Sequence, residues 1–246
     1  MKVLSWNMQH RAVGWDWLAN ESDFDIALLQ EANLPSWVRE KYPKVFYRRI
    51  PEHHDWGTAF ISKIDAFTEF IPDQDDFWLN EMLGPMVLAR PIDESSLWFC
   101  SIHSHYQAIT KGKLVEHPIP NLLESKKGAA FEIDVLAHIL KPILSSNRFV
   151  FGGDLNSSLL IDKNQGYSNN RRLFENLRTM GYLDLREGFY EEEQQTYFKK
   201  GNGAFQLDHL YSDAETKATV RSWRVLSDVV TTRKLSDHAP IEVVLD

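Results

Sequence analysis

The sequence predicts an α/β protein whose sheets are covered by helices on one face and by a second sheet on the other. Three observations predict it. Short runs rich in Val, Ile, Phe and Leu recur along the chain, with polar or turn residues at their ends, as strands do. These runs are apolar at successive positions, so both of their faces are buried. Helix-spaced segments are interspersed among them, and no Gly/Ser or Pro-rich linker divides the chain, so residues 1–246 are expected to form one domain.

The elements follow in chain order. Lys2 to Trp6 reads as a strand, and a first helix is expected between Ala12 and Asn20. Further strands are expected at Asp25 to Leu29, Gly57 to Ser62, Met86 to Arg90 and Leu97 to Ile102. Ala129 to Leu144 sets Phe131, Val135, Leu136, Ile139 and Leu140 at helix spacing, with Pro142 placed to stop or kink the helix. A strand follows at Arg148 to Gly152. Asn169 to Met180 puts Leu173, Phe174 and Leu177 on one helical stripe, and Gly181 ends it. The last strands are Phe205 to Tyr211 and Ile241 to Leu245. Three stretches, Ile71 to Pro85, Gln107 to Glu124 and Ser157 to Ser168, read as long loops, where binding specificity often sits.

The net charge of −8 argues against tight, nonspecific binding to duplex nucleic acid, which calls for a basic face. Basic pairs such as Arg48-Arg49 and Arg171-Arg172 are scattered and read as solvated surface. A single cysteine, Cys100, rules out an intrachain disulfide. The opening MKVLSWN lacks the apolar run of a signal peptide, and no stretch is long enough for a membrane span. A cytoplasmic location is therefore expected, with no obligate protein partner indicated.

The chemistry lies at the strand ends. Val3 to Trp6 runs into Asn7, Ile26 to Leu29 into Gln30-Glu31, and Phe99 to Ile102 into His103. Phe149 to Phe151 runs into Gly152-Gly153-Asp154-Leu155-Asn156, and Ser236-Asp237-His238 precedes the last strand. Each has a plain structural reading. Asn7 closes a turn, Glu31 starts a helix, and Asp154 with Asn156 after two glycines makes a turn of its own. Asp237-His238 reads as a surface turn. Taken as a set, these groups would line one rim of a rigid sheet. Burying them elsewhere without partners would cost about 1–3 kcal/mol each, and more for a charge.

This set resembles the endonuclease/exonuclease/phosphatase superfamily, which includes pancreatic deoxyribonuclease, abasic-site endonucleases, inositol-polyphosphate phosphatases and bacterial sphingomyelinases. The motifs that carry the resemblance are SWN at Asn7, LLQE at Glu31, SIHS at His103, Gly153-Asp154-Leu155-Asn156, Leu207-Asp208-His209 and Ser236-Asp237-His238, spread from residue 3 to residue 245. The resemblance implies a four-layer α/β/β/α sandwich of two mixed β-sheets flanked by helices. It also implies a divalent-metal-dependent hydrolase of phosphate esters. Glu31 would be the chief ligand of Mg²⁺ or Mn²⁺, with Asn7 beside it and Asp237 a further metal-side carboxylate. Asp154 would deprotonate the attacking water and Asn156 would hold it. His238, paired with Asp208, would stabilise charge on the phosphate, and His103 would be a second phosphate donor. The implied substrate is DNA or RNA. The competing substrate class is a small-molecule or lipid-headgroup phosphate, and a noncatalytic binding protein is the third reading.

Some residues depart from the pattern. Gln9 stands where some nucleases of the family carry an acidic residue that touches metal. His105 follows His103 by two positions, so a zinc pair is the competing reading if the strand runs on. His10 is close enough in sequence to Asn7 to reach the site, whereas His53, His54 and His117 read as loop residues. Trp56, Phe77, Trp78 and Tyr106 would either stack on a base or pack the loops.

Overall fold

The computed structural model describes residues 1–49, 55–71, 78, 86–93, 97–105, 109, 111–119, 122, 131–166, 168–199, 201 and 203–246. Two six-stranded sheets carry the fold. The first runs β11 (Val220–Val225), β12 (Ile241–Leu245), β1 (Lys2–Asn7), β2 (Ile26–Ala32), β4 (Gly57–Ser62) and β3 (Lys44–Arg49). The second runs β5 (Phe67–Phe70), β6 (Met86–Pro91), β7 (Trp98–His103), β8 (Phe149–Asp154), β10 (Asp208–Ser212) and β9 (Leu183–Asp184). Each sheet is mixed: β1 pairs parallel with β2 and β7 with β8, among antiparallel neighbours.

Strand alternation builds the layers. Val3, Ile26, Leu28, Phe60 and Val243 of the first sheet meet Val87, Phe99, Val150 and Leu210 of the second in a shared apolar layer. The alternate residues face outward. Leu4, Trp6, Ala27 and Leu29 pack with Trp15 and Leu18 of α1 (Val13–Asn20) and Val38 of α2 (Ser36–Lys41). Phe149 and Phe151 pack with Val135, Leu136 and Leu140 of α4 (Glu132–Leu144) and with Leu173 and Leu177 of α6 (Asn169–Thr179). Helix, sheet, sheet and helix therefore stack in four layers, as expected.

Towards one rim the inter-sheet face turns polar while keeping its period of two. On β1 it reads Val3, Ser5, Asn7, and on β2 Ile26, Leu28, Gln30. On β7 it reads Phe99, Ser101, His103, on β8 Val150, Gly152, Asp154, and on β10 Leu210, Asp208. Cross-strand register sets Asp154 opposite His103 on one side and opposite Asp208 on the other. Buried hydrogen bonds cross the seam: Gln30 Nε2 donates to Ser101 Oγ at 3.0 Å, and Ser101 Oγ donates to the Leu29 carbonyl at 3.1 Å.

Several expectations need correction. Ser157 to Ser168 is not a loop throughout. α5 (Leu159–Gln165) lies within it, capped by the Ser158 side chain, which accepts from Leu160 N, and ended by Gly166 at φ 69°. α3 (Lys111–Glu116) lies within the expected loop Gln107 to Glu124. α4 ends at Leu144 as expected, with Pro142 inside its last turn, but it begins at Glu132 with Phe131 at its N-cap. Pairing of β10 starts only at Asp208, because Phe205 O and Leu207 N bond to Thr196 instead. Gly152 and Gly153 form no turn. They lie inside β8, where a Cβ on Gly152 would meet the His209 carbonyl at 2.0 Å and one on Gly153 the Ile102 carbonyl at 2.1 Å. Strands β3, β5, β9 and β11, and helices α2, α7 (Ala214–Ala218) and α8 (Asp228–Thr231), were not foreseen. Residues 72–77 and 79–85, residues 107, 108, 110, 120, 121, 123 and 124 of the second expected loop, Ala129 and Ala130, and Tyr106, His53 and His54 lie outside the described residues. Among the described residues no helix is long and apolar enough to cross a membrane.

Candidate active site

Asn7, at the end of β1, is the central connector. Gln9 N donates to Asn7 Oδ1 at 2.9 Å, which fixes the amide so that its nitrogen faces the carboxylates. Asn7 Nδ2 then donates to Glu31 Oε1 at 3.1 Å and to Asp154 Oδ2 at 2.9 Å. Strand alternation alone would not send Glu31 this way, because Gln30 already occupies the inward position. An extra residue in β2 between Leu29 and Ala32, relative to β4, makes a bulge, and Glu31 takes φ 46°. A bulge of this kind re-aims a side chain.

Asp154 is 2% exposed. Asn156 N donates to its Oδ1 at 2.9 Å. His103 Nε2 stands 3.5 Å from Glu31 Oε1 and 3.8 Å from Asp154 Oδ2. Burial pushes the Asp154 carboxyl up to about 7, with Asp208 adding to the rise and the His238 charge and the Asn7 bond opposing it. His238 Nδ1 lies 2.8 Å from Asp208 Oδ2, and its Nε2 faces Asp154 Oδ2 at 3.8 Å. Burial pulls the His238 imidazole down, but Asp208 and Asp154 outweigh it and raise it to about 10. His238 is therefore a buried imidazolium at neutral pH, with Asp208 against its Nδ1 and Asp154 facing its Nε2.

The site thus gathers Asn7, Glu31, His103, Asp154, Asn156, Asp208 and His238. Asp237 is different. It borders the same cleft, about 380 Å³ in volume, but does not join the groups of converging donor atoms. Its carbonyl accepts from Phe198 N at 2.8 Å, and its charge adds to the upward pull on His238. Asn156 directs its Nδ2 away, onto the Ser104 carbonyl at 2.8 Å. The zinc-pair reading loses its premise, because β7 ends at His103; the His103 and His105 rings still lie 5.0 Å apart, but His105 Nδ1 is taken up by Glu132 Oε2 at 3.2 Å. Trp78 is a packing residue, with its Nε1 on the His117 carbonyl at 2.8 Å.

Sequence reasoning missed several supports. Trp6 Nε1 donates to the His238 carbonyl at 2.9 Å. Ser236 Oγ donates to the Asn7 carbonyl at 2.8 Å and accepts from His238 N at 3.1 Å, tying the first strand to the last loop. The Tyr197 ring lies 4.9 Å from that of His238. The signal for Ser236 was its place two residues before His238, a spacing at which a hydroxyl reaches the backbone of its own turn.

Glu31, His103 and Asp154 each offer a donor atom, all within 4.8 Å of one another, and Asp154, Asp208 and His238 do the same. The second group already satisfies itself as an acid–imidazole–acid set. The first suits a cation: two carboxylates converge on one amide, and one of them is deeply buried.

The family model for the Endonuclease/Exonuclease/phosphatase family matches residues 4–238. The chain belongs to the Endonuclease/Exonuclease/phosphatase family. That makes it a phosphoester hydrolase with an acid-and-imidazole candidate metal cluster. Among solved structures, it resembles a 3'-5' exonuclease, NExo, from Neisseria meningitidis, at 20% identity and a TM-score of 0.68 over 100% of both chains. The 3' phosphatase NExo from Neisseria bound to a product DNA hairpin aligns at 19% identity and a TM-score of 0.67, over 100% of this chain and 99% of that one. An AP endonuclease from Archaeoglobus fulgidus aligns at 16% identity and a TM-score of 0.70, over 100% of this chain and 99% of that one. At these identities the likeness is one of fold. No curated protein matches the sequence.

Proposed function

We propose that this member of the family is a Mg²⁺- or Mn²⁺-dependent phosphodiesterase that cuts DNA or RNA. The observation that carries the reading is the single Asn7 amide bonded to both Glu31 and Asp154, with the charged His238 facing the same Asp154 oxygen. Glu31 would hold the ion, with Asn7 and His103 at its side. Bound there, a hard divalent cation supplies charge neutralisation of an anionic phosphate. Asp154, held by Asn7 and by Asn156 N, accepts a proton from the attacking water. Its burial-raised affinity for protons matches that task near neutral pH. His238, kept charged by Asp208, donates from Nε2 to the scissile phosphate as negative charge builds on it. Asn156 would fix Asp154 through its backbone rather than grip the water.

Nucleic acid is the favoured substrate because the cleft pairs this polar group with Ile161, Tyr197, Phe205 and Leu207, an apolar lining suited to one base or sugar. The named structural relatives include one bound to a DNA hairpin. The net charge of −8 favours a second substrate class, a small-molecule or lipid-headgroup phosphate, because few phosphate contacts are available.

A panel of single-stranded DNA, RNA, abasic duplex, plasmid, bis-p-nitrophenyl phosphate and inositol phosphates tests this, with EDTA and then Mg²⁺ or Mn²⁺ added back. Turnover should vanish on chelation and return with metal, with the nucleic acids cut best. Asp154→Ala and His238→Ala should each lose about 10²–10⁴-fold in rate with the circular dichroism unchanged. Full activity in EDTA, or in both variants, overturns the proposal, and a preference for inositol phosphates transfers it to the second class.

A further inference from the structure

His10 has no place in the mechanism above, yet its side chain forms part of the wall of the candidate active-site cleft. It stands in a strained turn. Gln9 and His10 take φ 51° and 55°, and Glu31 takes 46°, all left-handed and none of them glycine. His10 N donates to the Glu31 carbonyl at 2.9 Å, just as Met8 N donates to that of Gln30, so the turn is stitched to the bulge of β2. Such backbone is costly for residues that carry a Cβ. His10 Nε2 lies 3.1 Å from Glu31 Oε2, but the His10 side chain is 43% exposed, and a pair at such a surface returns too little to offset the strain. Stability alone does not account for where the ring is placed.

The ring is held from two sides. Trp56 lies against one face, with centroids 4.8 Å apart and planes 25° apart, and Glu31 takes the Nε2 edge. Trp56 is steadied in turn by His103, its centroid 5.3 Å away. The exposed part of the His10 side chain is therefore its opposite face and free edge. That face borders the same cleft as Tyr197, Phe205 and Leu207. A third flat ring laid on it would continue the His10–Trp56 stack at the same spacing. Histidine is among the side chains on which unstacked bases settle. Because Glu31 fixes the ring's edge, a base on its face belongs to a nucleotide adjoining the bond that is cut.

Resting on the reading of the substrate as nucleic acid, we propose that the open face of His10, backed by Trp56, is a stacking subsite for the nucleobase on the Glu31 side of the scissile phosphate. The apolar lining of Tyr197, Phe205 and Leu207 takes the nucleotide on the other side. A base lies flat on the imidazole only after leaving its neighbour in a duplex, so the subsite favours single strands and frayed ends over closed duplex.

The test uses a short thymidine strand in which one linkage is a phosphodiester and every other is a methylphosphonate, so that the bond cut is defined. Dihydrothymidine, which is not aromatic, replaces thymidine on the 5′ or the 3′ flank of that bond, and kcat/KM is measured with Mg²⁺ or Mn²⁺. The wild type should lose about five- to a hundredfold when the flank that meets His10 is changed. In His10→Asn, which tolerates the left-handed backbone, discrimination on that one flank should collapse to within about twofold while discrimination on the other persists. A wild type indifferent to dihydrothymidine on both flanks overturns the subsite. So does a variant that keeps both preferences, including one that merely cuts every strand faster, which would mark His10 as a cover over Glu31. If His10→Asn misfolds, Trp56→Leu takes its place, and one-flank discrimination should fall in it by about threefold or more; full discrimination on both flanks overturns the proposal. A wild type that cuts no DNA or RNA strand but hydrolyses inositol phosphates overturns the nuclease reading and the subsite with it, whereas the failures above, in a working nuclease, overturn the subsite alone.

Discussion

Replacing Asp208 by Asn removes one unit of negative charge 2.8 Å from His238 Nδ1 and leaves the side-chain shape nearly unchanged. Two unit charges at that distance, in an effective dielectric of about 20, attract by about 6 kcal/mol, or roughly four pK units. Burial opposes the charge, yet His238 still rises from 6.5 to about 10, so the carboxylates outweigh it. Without Asp208 the burial is unchanged and only Asp154 and Asp237 remain to favour the imidazolium. His238 in Asp208→Asn should therefore titrate near or below neutrality. The sign follows from linkage. A raised folded-state pKa stabilises the fold fully below about 6.5 and loses that contribution as pH climbs through about 10. The variant should accordingly be less stable than wild type at pH 7, and the two should converge above pH 10. The alkaline limb of kcat/KM should move down by about three units, with activity at pH 8 falling by about tenfold. Nitrogen-detected NMR titration of His238, beside a pH–rate profile, makes the measurement. A variant imidazole that still titrates above pH 9 would refute the charge argument.

Two further outcomes follow from the geometry. Gly153→Ala should cost more than about 3 kcal/mol or abolish folding, because its Cβ would lie 2.1 Å from the Ile102 carbonyl and 2.5 Å from Gln30 Nε2, at φ 145°; a denaturation midpoint equal to wild type would contradict this. Ser236→Ala removes the hydroxyl bonded to both the Asn7 carbonyl and His238 N, so stability should fall by about 1–2 kcal/mol and kcat should drop with little change in KM. Crystallography of that variant should show the His238 loop displaced, and kinetics identical to wild type would discount the bridge.

Much of the site could be read in the sequence because strand alternation is a local rule. Val3, Ser5 and Asn7 share a face whatever the rest of the chain does, as do Phe99, Ser101 and His103. Glu31 was identified by motif, but how it points inward was not legible, since that depends on a bulge set by pairing with β4. His10 depends on a left-handed turn that no propensity favours for its residue types. The glycine pair looked like a turn because glycine marks both turns and close backbone approaches, and only the β7–β8–β10 packing separates the two. Strands β3 and β11 escaped notice because they lie at the sheet edge with few buried residues, so their apolar signal is weak. Helix α5 has its Ser158 cap and Gly166 stop in plain sight, but only a short apolar run between them.

Asn7 and Glu31 are mounted on one sheet, and His103, Asp154 and Asp208 on the other. The groups proposed to react are thus two half-constellations brought into alignment by the greasy filling between the planks, where Phe60 of one sheet faces Phe99 of the other with ring centroids 6.1 Å apart. Any repacking there that shears the planks by a fraction of an ångström would detune turnover without touching a single reacting atom, so catalytic rate in this molecule doubles as a gauge of how its buried filling is seated.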